Sequence, residues 1–186
     1  MADFFVQEDV KTRLLISGIK ELTEFGARDF SLRRAAVAAG VSCAAPYRYF
    51  KGKEDYVSEI IFYLASKWEL LADEISKACG ADGEILIPEL AAANVRFWLS
   101  NKNLKTALLV SSDENSLVKP SVFDARLVRE ITAHFTKKGV PIAERIKKIN
   151  SIRAYLIGCV TLIGSGELPD EEKTYDGIKE YIKASV

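Results

Sequence analysis

Residues Ser31–Lys53 read SLRRAAVAAGVSCAAPYRYFKGK. Ser31 is a natural N-cap, and Ala35, Ala36, Ala38 and Ala39 give the helix after it a small-sided body that neighbours can approach closely. The capping box is incomplete, because Arg34 stands where an acid would reach back to the cap. Gly40 permits a tight turn, and Val41 is the single apolar turn residue that can plug between two helices. Ser42 is placed to N-cap a second short helix over about Ser42–Phe50, leaving backbone N–H groups free for a phosphate. Two short helices around a Gly-Val-Ser turn, ending in an aromatic and basic cluster, make the layout of a helix-turn-helix, whose second helix is offered to a DNA major groove.

The charge pattern agrees. The chain has 186 residues, 48% hydrophobic and 28% charged, with a formal net charge of zero. A protein that coats nucleic acid non-specifically is far more basic, so any DNA contact has to rest on local charge. Residues 28–53 supply it: Arg28, Arg33, Arg34, Arg48, Lys51 and Lys53 face only Asp29, a net charge of +5. The flanks cancel it, with Asp3, Glu8, Asp9, Glu21, Glu24, Glu54, Asp55 and Glu59 against Lys11, Arg13 and Lys20. Cys43, Cys79 and Cys159 show no metal-ligand or redox-pair spacing. Sparse unpaired cysteines, no secretory leader and no apolar run of membrane length lead to the expectation of a cytoplasmic protein with no membrane partner.

Apolar residues recur at helical spacing nearly everywhere. The first helix is expected over about Asp9–Phe25, burying Val10, Leu14, Ile19, Leu22 and Phe25, with Gly26 as its stop. A long fourth helix runs from about Lys53 to Ala78 with the stripe Val57, Ile60, Ile61, Leu64, Trp68, Leu71 and Ile75. Gly80–Gly83 is the clearest break. Further helices are expected over about Glu84–Leu99, with Pro88 near its first turn, and Leu104–Ser111. Pro120 opens another, carrying Val122, Phe123, Leu127, Val128, Ile131 and Phe135, after the polar loop at 112–116. The last two cover about Ile142–Ile163 and Asp170–Ala184. The fold expected is all-α with about nine helices: a three-helix helix-turn-helix domain over 1–56, joined through the long fourth helix to a helical ligand-binding and dimerisation domain over 57–186.

In the amino-terminal part the hydroxyls of Tyr47 and Tyr49 can reach phosphates, Arg48 a phosphate or a guanine edge, and Lys53 a phosphate shared with a helix N-terminus. Arg33 and Arg34 lie where backbone clamps belong. The run from Gly40 to Lys53 resembles the TetR family of bacterial repressors, whose core motif is G-V-S-x-x-x-x-Y-x-(Y/H)-F-x-x-K-(E/D). The resemblance extends from about Val10 to Ile61, including Phe25-Gly26 and Phe30–Arg33, about a third of the chain. It implies DNA contacts from Ser31 and Arg33, from Ser42, Cys43, Ala44, Ala45, Tyr47, Arg48 and Tyr49, and from Lys53, with Phe50 in the core. It also implies a homodimeric repressor that binds double-stranded operator DNA and is released by a small-molecule effector. Cys43, Ala44 and Ala45 depart from the many members that carry Lys, Arg, Thr or Gln there, so base reading falls to Arg48, Tyr47 and thymine methyl contacts. Pro46 departs too, removing a backbone donor inside the second helix.

For the rest of the chain, Tyr63, Trp68, Asn94, Trp98 and Tyr155 are candidates to line an effector cavity. Asn94 and Arg153 interrupt apolar stripes and each calls for a polar partner. Ile149, Arg153, Leu156 and Val160 are candidates for a dimer interface, on the stripe Ile142, Ile146, Ile149, Arg153, Leu156, Val160 and Ile163. His134, the one histidine, reads as a surface or interface residue. The sequence shows no nucleophile with a placed base, no glycine-rich phosphate loop and no cluster of carboxylates with histidine, so neither enzymatic activity nor a cofactor is expected. Two alternatives stand beside the regulator: a helical interaction or small-molecule-binding module that has lost specific DNA binding, and an enzyme assembled from residues distant in sequence.

Overall fold

The computed structural model describes residues 9–101 and 124–186. Among these the chain forms seven α-helices and one 3-10 turn, with no strand. They are α1 (Val10–Phe25), α2 (Leu32–Ala38), the 3-10 turn Pro46–Arg48, α3 (Lys53–Cys79), α4 (Gly83–Ser100), α5 (Ala125–Lys137), α6 (Ile142–Ser165) and α7 (Glu172–Ser185). The all-α class is as the periodicity implies. The count is below nine for two reasons. The expected helix over Ser42–Phe50 is a 3-10 turn, and the expected helix over Leu104–Ser111 lies outside the described residues, as do the loop at 112–116, Pro120, Val122 and Phe123.

The described residues form two compact units that divide within α3, after Leu64; the boundary expected near Tyr56 falls on the same helix. The amino-terminal unit, residues 9–64, is built around Tyr56. Its ring is wholly buried, stacked on Phe50 at 4.0 Å and met edge-on by Phe30 at 5.2 Å, and its hydroxyl donates to the Leu14 carbonyl of α1. Burial pushes the Tyr56 phenol up to about 12. Gly18 lets α1 lie against this cluster, since a Cβ there would meet Ile60 Cδ1 at 2.7 Å and the Tyr56 ring at 3.0 Å. Phe25 differs from expectation: it is exposed, and the Arg34 guanidinium covers its ring at 4.1 Å.

The second unit comprises residues 65–101 and 124–186. The Gly80–Gly83 break is realised, and Asp82 caps α4 by accepting from the Glu84 N–H. Helix α4 is the centre: Leu86, Ile87, Leu90, Ala91, Ala92, Asn94, Val95 and Leu99 are buried, and it packs against α5, α6 and α7. A helix apolar nearly all round belongs inside a core. Pro88 lies within α4 rather than in its first turn, so position 88 has no N–H for the Glu84 carbonyl. Arg126 of α5 is held by Asp73, Glu69 and Ser76 of α3 and by Glu130, which raises its pKa above the ordinary arginine value. Arg96 of α4 lies 3.7 Å over the Tyr175 ring of α7 and pairs with Glu172. On α3 the buried stripe drifts from Leu64 through Trp68 to Ala72, which leaves Leu71 exposed.

His134 is wedged into this unit. Its Nδ1 would lie 2.2 Å from a Cβ built on Gly83, so the glycine makes room for the ring at the start of α4. Burial, then Lys138, lowers its pKa, while Glu84 and Asp82 pull it back. A histidine kept neutral in the fold contributes stability that is present above its unfolded pKa, about 6.5, and lost as pH falls below that value towards the lowered folded one. Denaturant unfolding should therefore show stability falling between pH 7.5 and pH 5.5, and His134→Asn should flatten that fall.

Candidate nucleic-acid interface

Ser31 opens α2 as expected: its backbone is extended and its hydroxyl accepts from the Arg34 N–H at 3.4 Å. The helix ends in a double bond pattern, Gly40 N–H to the Val37 carbonyl and Val41 N–H to the Ala36 carbonyl, both at 3.0 Å. This is the Schellman closure, and it requires a left-handed residue, which Gly40 supplies at φ 66°. Val41, half-buried, then turns the chain into the second element.

That second element corrects the sequence reading. Residues 42–45 form a turn closed by the Ala45 N–H on the Ser42 carbonyl at 2.9 Å, and Pro46–Arg48 is a 3-10 turn. Pro46 is the cause: it has no N–H for the Ser42 carbonyl, so an α-helix cannot run through this point. Ser42 is consequently no α-helical N-cap; the cap position of the 3-10 turn is Ala45, without a side-chain bond. The path stays right-handed, because Ala45 and Tyr49 both have αR backbones and the Phe50 N–H bonds the Pro46 carbonyl at 2.9 Å.

Burial alternates to a purpose here. Pro46 and Phe50 are buried, and Tyr47, Arg48 and Tyr49 between them are exposed, Tyr47 by 67%. Two anchors four residues apart thus hold a three-residue crest of two phenols and a guanidinium. Ser42, Cys43 and Ala44 are exposed beside it, and Ala45 is half-buried. Arg33 is exposed on α2. Lys53, half-buried at the start of α3, donates to the Arg28 carbonyl at 2.5 Å, which ties α3 to the α1–α2 loop and leaves two of its three donors for other partners. The Asp55 carboxylate accepts from the Lys51 N–H at 2.8 Å and steadies the same entry. All ten residues inferred for DNA contact therefore lie in the amino-terminal unit.

Arg34 behaves differently from the clamp expected of it. Its guanidinium bonds the buried Glu21 carboxylate, Nε at 2.8 Å, and donates to the Asp29 carbonyl at 2.6 Å. Sequence reading missed Glu21, placing it with the flanking acids.

The candidates in the second part of the chain do not converge as one lining. Trp68 is wholly buried with its ring 5.5 Å from Phe97, and Asn94 is buried on α4. Trp98 is half-buried on α4, and Tyr155 is stacked on Tyr181 at 3.8 Å. Tyr63 is half-buried in the other unit. An open cleft of about 1000 Å³ lies instead among the ends of α3, α4 and α5, where Ser76, Asp82, Arg126, Glu130 and His134 line it, and none of the five candidates does. On α6, Arg153 finds the polar partner it called for in Asp124, at 2.6 Å. Leu156 is buried, and Ile149 and Val160 are half-buried.

No protein-family model matches the sequence, and neither does any curated protein. Solved structures do match. A protein of unknown function from Rhodococcus sp. RHA1 superposes with a TM-score of 0.76 at 17% identity, over 99% of this chain and 96% of that one. A TetR family transcription regulator from Marinobacter aquaeolei VT8 gives 0.72 at 17% identity, over 95% of each. The fatty acid degradation regulator FadR from Bacillus halodurans gives 0.70 at 19% identity, over 94% of each. The chain has the fold of the TetR-family regulators, over nearly its whole length.

The exposures order the thiols. Cys43 is exposed, Cys79 half-buried and Cys159 buried with its pKa raised by that burial. An aromatic disulfide reagent should titrate Cys43 in a fast phase and Cys159 last, and Cys43→Ser should remove the fast phase.

Proposed function

We propose that this protein is a ligand-responsive transcriptional regulator, a repressor that binds operator DNA as a homodimer through residues 31–53. The observation that carries the reading is the crest Tyr47-Arg48-Tyr49, exposed between buried Pro46 and Phe50 behind the Gly40 turn. The Tyr47 and Tyr49 hydroxyls, Ser31, Ser42, Arg33 and Lys53 position the head on phosphates, and Arg48 reads a base edge. Cys43, Ala44 and Ala45 offer apolar surface to thymine methyl groups. No described helix is long and apolar enough to cross a membrane.

The fold supports the remaining roles. Successive major grooves on one side of a duplex lie about 34–36 Å apart, so two heads in a symmetric dimer read two half-sites. An effector that prefers a dimer with another head spacing weakens operator binding by its differential affinity.

A gel shift on the DNA upstream of the protein's own gene tests the main reading. Arg48→Ala should weaken binding by about 10- to 100-fold, the worth of one good base contact. Tyr47→Ala should weaken it as well, with circular dichroism unchanged. A folded protein that binds no duplex at low salt would favour the interaction module instead.

The dimer face follows from α6. At about 100° per residue, Ile142, Ile146, Ile149, Arg153, Ile157 and Val160 fall within an arc of about 80°. Ile142, Ile146 and Ile157 are exposed there, while Ile152, Leu156, Cys159 and Ile163 are buried on the neighbouring face. Sedimentation at micromolar concentration should give a dimer, and Ile146→Glu with Ile157→Glu a folded monomer.

A further inference from the structure

Helix α2 begins without the acid that its cap calls for, and the structure shows what replaces it. Glu21 lies on α1, ten residues before Ser31, and is only 6% exposed. Its Oε1 accepts from the Ser31 N–H at 3.0 Å. That is the bond a carboxylate at the third position of α2 would make by reaching back to its own cap. A neighbouring helix therefore completes the capping box.

A buried carboxylate needs a counter-charge. Arg34 supplies it from the third position of α2, with Nε and Nη2 on the same Glu21 oxygen. The guanidinium also bonds the Asp29 carbonyl and sits over the Phe25 ring, and the Glu21 bond raises its pKa. Ser17, one turn earlier on α1, adds a bond from its hydroxyl to the Ala35 carbonyl at 2.8 Å. Two polar side chains of α1 thus hold the first turns of α2, and both are buried.

We infer that Glu21 and Arg34 are a positioning pair for the DNA-binding head: Glu21 caps α2 from outside and so fixes Ser31 and Arg33, and Arg34, engaged within the head, is no phosphate contact. The inference rests on the DNA-binding reading for its second half and on geometry alone for its first, and two measurements separate them. Both use the full chain.

The first is the salt dependence of binding to a random-sequence duplex. Each phosphate contact contributes about −0.9 to the slope of log K against log salt. Arg33→Gln should make the slope shallower by about that amount, and Arg34→Gln combined with Glu21→Gln, which removes both charges and strands no buried carboxylate, should leave it unchanged. The second is hydrogen exchange of the Ser31 amide, which needs no DNA. Glu21→Leu should speed it about fivefold, the scale of a lost cap. Adding Arg34→Glu should restore slow exchange, because the new carboxylate can reach back within α2. Glu21→Gln, which keeps an acceptor, serves if the leucine variant does not fold and should speed exchange less. Equal slope losses from Arg33→Gln and from the Glu21→Gln, Arg34→Gln double variant would overturn Arg34's role, and unchanged Ser31 exchange in Glu21→Leu would overturn the cap. If the wild-type chain binds no duplex at low salt, the positioning role falls with the DNA reading, and the exchange result still decides the cap.

Discussion

The buried ring of Tyr56 is the contact on which the amino-terminal unit depends. One side chain joins the α1 backbone through its hydroxyl, the start of α2 through Phe30, and the end of the 3-10 turn through Phe50. A small unit has little interior to share, so a residue touching every element sets their mutual geometry. The stack on Phe50 also sets where the crest stands. Phe50 is the carboxyl-side anchor of Tyr47–Tyr49, so a shift of Tyr56 would carry the exposed residues with it. The distance from Tyr56 to the proposed DNA face is two packing contacts, both aromatic.

Pro46 imposes the other constraint. Losing one N–H breaks the second helix into a turn and a short 3-10 segment, yet it also makes Pro46 a buried anchor. The crest between Pro46 and Phe50 is narrower than the flank of a full helix and carries fewer polar groups. If this surface is the proposed DNA face, recognition on it would lean on phosphate geometry and on the shape of the groove as much as on base edges. The small side chains at Cys43, Ala44 and Ala45 fit the same description, since they admit close approach without hydrogen bonding.

Helix boundaries were legible because their signals are local. Gly26, Gly40 and the Gly80–Gly83 break each end or begin a helix where the periodicity stops. Which face of a helix is buried was less legible. The stripe on α6 reads as one apolar band, but the structure splits it: Leu156 and Ile163 are covered within the protein, whereas Ile142 and Ile146 face out. A core face and a contact face are equally apolar, and 3.6-residue periodicity cannot part them when they are adjacent. Glu21 was illegible for the opposite reason. In sequence it is one acid among several flanking ones, and only the fold brings it to Ser31 and Arg34.

The charge balance then acquires a different meaning. A chain of zero net charge that binds DNA has to place its cations with care, and the excess over 28–53 is not all available. Arg34 is neutralised by Glu21, and Lys53 gives one donor to the Arg28 carbonyl. Arg28, Arg33, Arg48 and Lys51 remain exposed, spread over the loop before α2, α2 itself, the crest and the entry to α3. On the proposed DNA-binding reading, affinity from so few phosphate contacts would be modest and would fall less steeply with salt than that of a basic coating protein. Such a head gains from pairing, because a second head on the same duplex multiplies the effective concentration of the first. In the proposed homodimer, the exposed isoleucines of α6 and the sparse cations of the head would complement one another, with dimerisation supplying what local charge does not.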